Sequence, residues 1–329
     1  MARPDTHPFE RLTPDFILSA MDEVGLCSDG RLLPLNSYEN RVYQVGMEQA
    51  DPLIVKFYRP GRWTLAALQE EQQFVAELAA AELPVIAPLN IEGISLFNHG
   101  GFHFAIYPRQ GGHWPELNQV ADREQVGRLL GRMHLIGQRH PFEFRQCLSV
   151  QGWAGEARRY LLDQDWIPQH LLAVYRSVSR DLIQLMHDQW DAVHPLRLLR
   201  LHGDCHLGNL LWQDTSGLHF VDFDDCLTGP AIQDLWMLLS GTSVERAQQL
   251  RELLSGYTQF ADFDYSELIL IETLRALRLM HYAAWLARRW DDPAFPRAFP
   301  WFAEPKFWEQ HVLDLREQMS AIQEPALEL

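Results

Sequence analysis

Between residues 202 and 234 the chain reads HGDCHLGNLLWQDTSGLHFVDFDDCLTGPAIQD. This window holds six aspartates and neither a lysine nor an arginine, so its carboxylates have no ion-pair partner nearby in the sequence. Carboxylates that alternate with apolar strand residues such as Phe220 and Val221 are costly to bury unless a cation neutralises them. A hard divalent metal ion held by Asp and Asn oxygens would do this. The alternative is a solvated acidic loop.

The spacing within the window predicts phosphoryl transfer. Asp204 can accept a proton from a hydroxyl group, Asn209 can ligate a metal ion, and Asp222 supplies a metal carboxylate at the end of a short strand. This order of groups is the one found in the catalytic and metal-binding loops of protein kinases. Gly203 stands where protein kinases usually have Arg, and Asp224 replaces the Gly of their Asp-Phe-Gly segment.

A zinc site is an alternative interpretation of the same loop, because His202 and His206 flank Asp204. No third His or Cys is spaced to complete such a site, and Asn209 would then have no role. The four cysteines are scattered and predict free thiols. Cys205 adjoins Asp204 and Cys226 follows Asp222, so oxidation there could disable the enzyme, but the sequence favours buried, inert thiols.

Length and composition exclude several other classes of protein. The 329 residues suffice for a large two-lobed domain, and 47% hydrophobic with 22% charged residues is a globular composition. No apolar run approaches the roughly 20 residues that span a bilayer, and residues 1–8 lack the apolar segment of a secretory signal. We therefore expect a cytoplasmic protein with no membrane partner. A net charge of −16 without a basic run argues against a nucleic-acid partner.

The secondary-structure pattern predicts an α+β fold. A small N-terminal lobe over residues 1–108 combines an antiparallel sheet with an inserted helix, and a larger, mostly helical lobe covers residues 109–329. The predicted elements are helices at 13–25 and 64–82, a hairpin at 41–45 and 53–58, strands near 94–98 and 101–107, a hinge at 107–112, a β-rich stretch at 209–223 and a core helix at 274–286.

Lys56 lies inside an apolar strand segment, Leu53–Tyr58. Of the 28 basic residues only Lys56 and Lys306 are lysines. The presence of lysine instead of arginine at position 56 therefore needs an explanation. A compact ammonium group that contacts phosphate is one such explanation, and an ordinary lysine at a strand edge is the alternative.

Together these motifs resemble the kinase-like superfamily of aminoglycoside phosphotransferases, choline kinases and homoserine kinases. Its hallmark is His-Gly-Asp-x-His-x-x-Asn followed by a strand that ends in Asp. Within it the chain is similar to the bacterial stress response kinases over nearly its whole length, most clearly in segments 34–43, 55–60, 233–239 and 292–296. The resemblance implies a bilobal protein-kinase-like fold of the aminoglycoside phosphotransferase type. It also implies a cytoplasmic serine/threonine protein kinase that uses ATP and Mg²⁺ and acts in stress responses.

The resemblance also implies roles for the residues of the acidic window. Asp204 would be the catalytic base, and Asn209 and Asp222 would hold Mg²⁺ against the ATP phosphates, which places Asp222 among the catalytic residues as well. Asp224 and Asp225 would be contacts to a second metal ion or to a cationic substrate. In the same reading, Asp234 would hold the backbone of the catalytic loop and His202 would brace that loop.

On the nucleotide side, Lys56 would reach the α- and β-phosphates and Glu71 would pair with its ammonium group, with Glu70 as the rival one residue away. The glycine-rich nucleotide loop of protein kinases is absent, since no glycine lies between Gly30 and Gly46. The turn at residues 36–40 would serve instead, with Ser37 nearest the phosphates.

Three functions remain open at this point. A monomeric protein kinase with a Ser/Thr protein substrate comes first. The same chemistry on a small alcohol, such as an aminoglycoside, choline or homoserine, is the second. A pseudokinase that only binds is the third, although the complete set of Lys56, Asp204, Asn209 and Asp222 argues against it.

Overall fold

The computed structural model describes residues 9–213 and 217–329. In chain order its helices and strands are α1 (Pro14–Glu23), β1 (Ser28–Leu35), β2 (Arg41–Met47), β3 (Leu53–Phe57), α2 (Leu65–Ala80), β4 (Phe97–His99), β5 (Phe102–Pro108), α3 (Val120–Gly137), α4 (Glu156–Asp163), α5 (Leu172–Ala192), β6 (Leu199–Leu201), β7 (Leu210–Gln213), β8 (Gly217–Phe220), β9 (Leu227–Gly229), α6 (Gln233–Trp236), α7 (Ser243–Tyr257), α8 (Leu270–Arg288), α9 (Ala294–Ala298) and α10 (Pro305–Gln323). Short 3-10 turns and one π-helical turn, Gln151–Gly155, complete the order.

The chain divides into two compact units. The first consists of Met1–Pro115, Glu143–Arg145 and Gly208–Asp224, and the second of Glu116–Phe142, Gln146–Leu207 and Asp225–Leu329. Two segments that are distant in sequence thus join the first unit. The lobe boundary at residues 108 and 109 stays a prediction.

The first unit is built around an antiparallel sheet of order β1-β2-β3-β5-β4. Helix α1 precedes it and helix α2 is inserted between β3 and β5. Each helix begins where a threonine hydroxyl accepts a backbone N–H, Thr13 from Phe16 at 3.3 Å and Thr64 from Ala67 at 3.1 Å. The predicted helices at 13–25 and 64–82 and the β2–β3 hairpin are confirmed, with each helix shorter than predicted by a few residues at its ends.

The alternation of side chains along β3 places Lys56 on a defined face of the sheet. Val55 and Phe57 are fully buried in the core that α1 covers. Lys56 projects to the opposite face, beside its register partner Ala105, which packs with Leu68 of α2. The strand therefore delivers one ammonium group to the α2 side of the sheet.

The second unit is mostly helical, with the two-stranded pair β6–β9 as its small sheet. Helix α8 is central, because residues such as Ala276, Leu277 and Met280 have no solvent exposure, as the apolar run 274–286 predicts. Helices α3 and α7 cross closely through small residues. A Cβ atom on Gly127 or Gly131 of α3 would overlap a backbone carbonyl of α7.

The predicted α+β class is therefore confirmed, with an antiparallel sheet in the N-terminal part and helices in the C-terminal part. Within residues 9–213 and 217–329, none of the helices has the length and apolar character needed to cross a bilayer.

Candidate active site

Lys56 contacts three carboxylates within the first unit. Its Nζ lies 2.8 Å from Asp222 Oδ1, 3.4 Å from Asp224 Oδ1 and 3.8 Å from Glu71 Oε1. The residue is only 6% exposed. Burial by itself would lower the pKa of Lys56, but the three carboxylates raise it well above its ordinary value. The side chain is therefore a permanent cation surrounded by acids, which a lysine at a strand edge would not be.

The two adjacent glutamates of α2 have different partners. Glu71 is buried near Lys56 and accepts a hydrogen bond from the Tyr58 hydroxyl at 2.9 Å. Glu70 instead accepts three backbone N–H groups, from Glu143 at 2.6 Å and from Phe144 and Arg145 at 2.8 Å each. The geometry favours Glu71 as the partner of Lys56 and assigns Glu70 to anchoring the segment 143–145.

Asp224 is a buried charge that the chain's own cations neutralise. Its carboxylate pairs with Arg62 and Lys56, and Arg145 donates to its backbone carbonyl. Burial works to raise the pKa of Asp224, but Arg62, Lys56 and Arg145, together with a hydrogen bond from Asn40, hold it well below its usual range. Asp224 is thus enclosed by protein groups, and the hypothesis that it contacts a second metal ion or a substrate cation gains no support.

Asn209 and Asp222 lie at the same end of the antiparallel pair of strands β7 and β8. The ladder pairs Leu210 with Phe220, and one step further Val221 N donates to the Asn209 carbonyl at 3.0 Å. Asp222 follows with φ of +59°, a left-handed conformation that costs a non-glycine residue energy, and its side chain is 55% exposed.

Mg²⁺ binds proteins through one or two carboxylates or amide oxygens and fills its other positions with water and phosphate. An exposed carboxylate and a side-chain amide at one end of this strand pair fit that donor set. The described ranges 9–213 and 217–329 hold no group of three or more His, Cys, Asp and Glu side chains arranged for a metal ion.

The turn at residues 36–40 is closed by its own side chains. Ser37 Oγ donates to the Asn40 carbonyl at 3.1 Å, and Asn40 Oδ1 accepts the backbone N–H of Arg59 at 3.0 Å. Glu39 pairs with Arg59 at 3.0 Å. The turn is therefore fixed to the end of β3, and a phosphate contact by Ser37 stays a prediction.

In the second unit, the carboxylate of Asp204 is held by two cationic or potentially cationic side chains. Arg278 Nη1 of α8 donates to Oδ1 at 2.6 Å, and His206 Nε2 lies 3.3 Å from Oδ2. Although Asp204 is largely buried, which raises a carboxyl pKa, His206 and Arg278 hold its pKa well below the usual range. Asp204 is consequently ionised, as a proton acceptor must be.

The backbone of this loop is held by α6. Asp234 has no solvent exposure and accepts the N–H groups of His202 and Gly203, each at 2.8 Å. Gln233 Nε2 donates to the Gly203 carbonyl at 2.8 Å. His134 Nε2 lies 3.1 Å from Asp234 Oδ2. These hydrogen bonds confirm the prediction that Asp234 holds the backbone of the loop that contains Asp204.

Gly203 explains why this loop departs from the protein-kinase sequence. Its φ is +84°, and a Cβ atom would overlap the backbone carbonyl of Asp225. An arginine at this position would therefore disrupt the loop.

Three further residues that the sequence singles out for chemistry, His202, Cys205 and Cys226, are buried. His202 and Cys205 have no solvent exposure, and Cys226 is 1% exposed. Burial, with Asp234 and Asp204 nearby, raises the pKa of Cys205 well above its ordinary value. Its thiol stays protonated and unreactive, which agrees with the buried, inert thiol that the sequence favours over oxidative control.

The sequence analysis missed the arginines. Arg62, Arg145 and Arg278 all lie outside the acidic window, for which the sequence alone favours a metal ion as the neutralising cation. One signal is available in the sequence: Arg275 and Arg278 are two charged residues within the mostly apolar run 274–286, and Arg278 is the one that contacts Asp204.

Comparison with known proteins agrees with this arrangement. The phosphotransferase enzyme family matches residues 31–271. Stress response kinase A of Escherichia coli (strain K12) is 45% identical over 321 residues, which cover 98% of this chain and 97% of that protein. The serine/threonine protein kinase RdoA of Salmonella typhimurium is 44% identical with the same coverage of both chains.

Two solved structures share the fold at low sequence identity. A microcompartment-associated aminopropanol kinase has a TM-score of 0.69 at 18% identity, covering 93% of this chain and 98% of its own. The amicoumacin kinase hAmiN, in complex with AMP-PNP, Ca²⁺ and Ami, has a TM-score of 0.67 at 18% identity, covering 88% and 92%. The chain therefore belongs to the phosphotransferase enzyme family and has the kinase-like fold of the aminoglycoside phosphotransferases that its motifs predicted.

Proposed function

We propose that this kinase transfers the γ-phosphoryl group of ATP to serine or threonine hydroxyls of proteins, with Mg²⁺ as the metal ion. The observation that carries the chemistry is the ionised Asp204, fixed at both carboxylate oxygens on a loop whose backbone Asp234 holds. Support for a protein substrate comes from the relative named as a serine/threonine protein kinase, which is similar over 98% of the chain.

Asp204 acts on the acceptor hydroxyl. As the hydroxyl oxygen forms its bond to the γ-phosphorus, its O–H bond breaks and the proton passes to the Asp204 carboxylate. The bond between the γ-phosphorus and the bridging oxygen breaks, and ADP leaves. Each carboxylate oxygen has two lone pairs, so Asp204 can accept the acceptor's hydrogen bond while it keeps Arg278 and His206.

Lys56 and its neighbours act on the nucleotide. The ammonium group contacts the phosphates, and Glu71 keeps it oriented from 3.8 Å away. Asn209 and Asp222 would hold Mg²⁺, which neutralises phosphate charge and orients the γ-phosphoryl group when it is bound. Arg62 and Arg145 hold Asp224 and thereby keep the carboxylates around Lys56 in place.

The names of the similar proteins further support a role in the bacterial stress response. A cytoplasmic location and a monomeric state belong to the same proposal.

The test is incubation of the protein with γ-labelled ATP and Mg²⁺, with casein or myelin basic protein in one arm and small amino-alcohols in another. An Asp204→Ala variant serves as the control. We expect label on serine or threonine of the protein acceptor, absent with the variant. Turnover with amino-alcohols alone would identify a small-molecule kinase, and no turnover in either arm would identify a pseudokinase.

A further inference from the structure

Both oxygens of the Asp204 carboxylate contact basic side chains, although the protein as a whole is acidic. The chain carries a net charge of −16, and the window around Asp204 contains no Lys or Arg. Nevertheless, an arginine and a histidine contact the two oxygens of this carboxylate. The arginine is Arg278, which α8 supplies from outside the window.

Arg278 has hydrogen-bond donors that its contact with Asp204 does not use. A guanidinium group has five N–H donors, and only Nη1 donates to the carboxylate. The side chain is 41% exposed, and in the part of the chain that the structure describes Asp204 is its one partner. A purely structural arginine looks different here: Arg200 is 1% exposed and donates to the backbone carbonyls of Ile136 and Gly137.

The exposed face of α8 continues from Arg278 with aromatic residues. Tyr282 and Trp285 follow at spacings of four and three residues, which places all three side chains on one side of the helix. The two rings stack with their centroids 5.7 Å apart and their planes 17° from parallel. Tyr282 is 40% exposed, whereas the residues that follow it, Ala283 and Ala284, are fully buried. We call Arg278, Tyr282 and Trp285 the α8 strip.

We propose that the α8 strip binds the polypeptide acceptor, and that Arg278 selects a substrate with a carboxylate side chain next to the phosphorylated serine or threonine. This inference rests on the proposed protein kinase function and names the class of its substrate. The free N–H groups of Arg278 pair with the substrate carboxylate while Nη1 stays on Asp204. The exposed part of Tyr282 contacts the following residues of the extended peptide, and Trp285 supports Tyr282 by stacking on its ring.

The position of Arg278 limits how far the acidic residue of the substrate can lie from the acceptor serine or threonine in the peptide sequence. The guanidinium lies 2.6 Å from the carboxylate oxygen of the proposed base. Consecutive Cα atoms are about 3.8 Å apart, so a carboxylate one or two positions from the acceptor can reach the remaining N–H groups. From Arg278 to Trp285 the helix rises about 10 Å, which is roughly three residues of extended peptide.

Charge complementarity separates this substrate from the small cationic alcohols. An ammonium group near the acceptor hydroxyl would meet the like charge of Arg278 beside Asp204, and like charges at such distances repel in a partly buried site. An acidic peptide gains a charge-assisted hydrogen bond at the same place.

Three serine peptides that differ only in the residue after the acceptor, Glu, Gln or Lys, test the inference at saturating Mg-ATP. We expect wild-type kcat/KM to be about 10-fold higher for the Glu peptide than for the Gln peptide, and lowest for the Lys peptide. This preference should shrink as salt is added. Arg278→Gln should lower all three rates, because it also affects Asp204, but should bring the Glu-to-Gln ratio close to one. Arg278→Lys, which keeps the charge, should retain part of the ratio.

Arg316→Gln on α10 is the matched control, since Arg316 is exposed and should leave the ratio unchanged. Tyr282→Ala should raise KM for a peptide that extends four residues past the acceptor more than for one that ends directly after it. Thermal melting verifies that each variant is folded.

An unchanged Glu-to-Gln ratio in Arg278→Gln, or no preference in the wild type, would overturn the inference while leaving the protein kinase function intact. Phosphorylation of amino-alcohols but of no peptide would overturn both.

Discussion

Glu70 and Glu71 show how far one residue of register changes a side chain's role. Glu71 stands 3.8 Å from Lys56, while Glu70 binds the N–H groups of residues 143–145. Glu71→Gln removes the carboxylate that orients the ammonium group, so we expect kcat/KM for ATP to fall by roughly 10-fold or more. Steady-state kinetics at several ATP concentrations measure this.

Glu70→Gln is the neighbouring control. It removes a charged acceptor from three backbone N–H groups, so we expect a loss of about 1–2 kcal/mol in the free energy of unfolding and a smaller effect on kcat/KM. If Glu70→Gln proved the more damaging to catalysis, the assignment of the two glutamates would be reversed.

Glu267 predicts a pH dependence of stability. It is 1% exposed and accepts the N–H of Ile232, next to α6, at 2.9 Å. Burial, and then Asp264, raise the pKa of Glu267 to about 7, against hydrogen bonds from the backbone and the charge of Arg197. The unfolded chain loses this proton near pH 4.5. The folded state therefore binds more protons between these values, and stability falls as the pH rises through that window.

Glu267→Gln keeps an acceptor for Ile232 and removes the titration. Relative to this variant, the free energy of unfolding of the wild type should fall by about 2 kcal/mol between pH 5 and pH 8. Urea denaturation of both proteins at the two pH values measures the difference. A difference that stays constant, or grows with pH, would contradict the assignment.

The residues to which we assign the chemistry stand out in the sequence because their spacing is local. Asp204, Asn209 and Asp222 fall within 19 positions of one another in a single window. The cations that neutralise the carboxylates could not be predicted in this way, because Arg62, Arg145 and Arg278 come from three separate parts of the chain. Only the fold shows which of them meets which carboxylate.

At the scale of elements, the close crossing of α3 and α7 supports the loop that contains Asp204. Tyr257 of α7 contacts His134 Nδ1 of α3 at 3.0 Å, and His134 in turn contacts Asp234. Gly131 permits this approach, because a Cβ atom there would overlap the Tyr257 carbonyl. The helix pair thus positions the residues that hold the loop backbone.

Gly131→Ala tests this crossing. Alanine favours a helix over glycine by about 1 kcal/mol, but the overlap with backbone should outweigh that gain. We expect a net loss of about 2 kcal/mol in unfolding free energy and a lower kcat. Gly111→Ala is the control, since a Cβ atom there meets nothing within 4 Å and should change stability by less than about 0.5 kcal/mol. Denaturant unfolding that showed Gly131→Ala as stable as wild type would refute the close packing.

Elements with strong local signals could be predicted, and the very short strands β6 and β9, which depend on pairing with each other, could not. Helices α1 and α2 have a capping threonine and an apolar period, so their positions follow from neighbouring residues. Strands β6 and β9 have three residues each and exist because they pair with each other across 25 intervening positions. A three-residue strand is too short for an alternation of apolar and polar residues to be recognised in the sequence.

At the scale of the whole molecule, binding of Mg-ATP should stabilise the fold. A ligand that binds only the folded state at about 100 times its dissociation constant adds about 2.7 kcal/mol. We expect ATP with Mg²⁺ to raise Tm by several degrees and ATP with a chelator to raise it much less. Asp222→Asn should remove most of the Mg²⁺-dependent part. Asp51→Asn, at an exposed aspartate of the same unit, should leave it unchanged. An undiminished shift in Asp222→Asn would exclude Asp222 as a metal ligand.

The account depends most on Asp204 as the proton acceptor. The decisive measurement is the rate of phosphoryl transfer from Mg-ATP to the best acceptor, compared between the wild type and Asp204→Asn, which keeps the size of the side chain. We predict a fall in kcat of about 1,000-fold with KM for ATP changed by less than about 2-fold, because a missing general base affects the reaction and not nucleotide binding. A variant that transfers phosphate at a rate near that of the wild type would contradict the account.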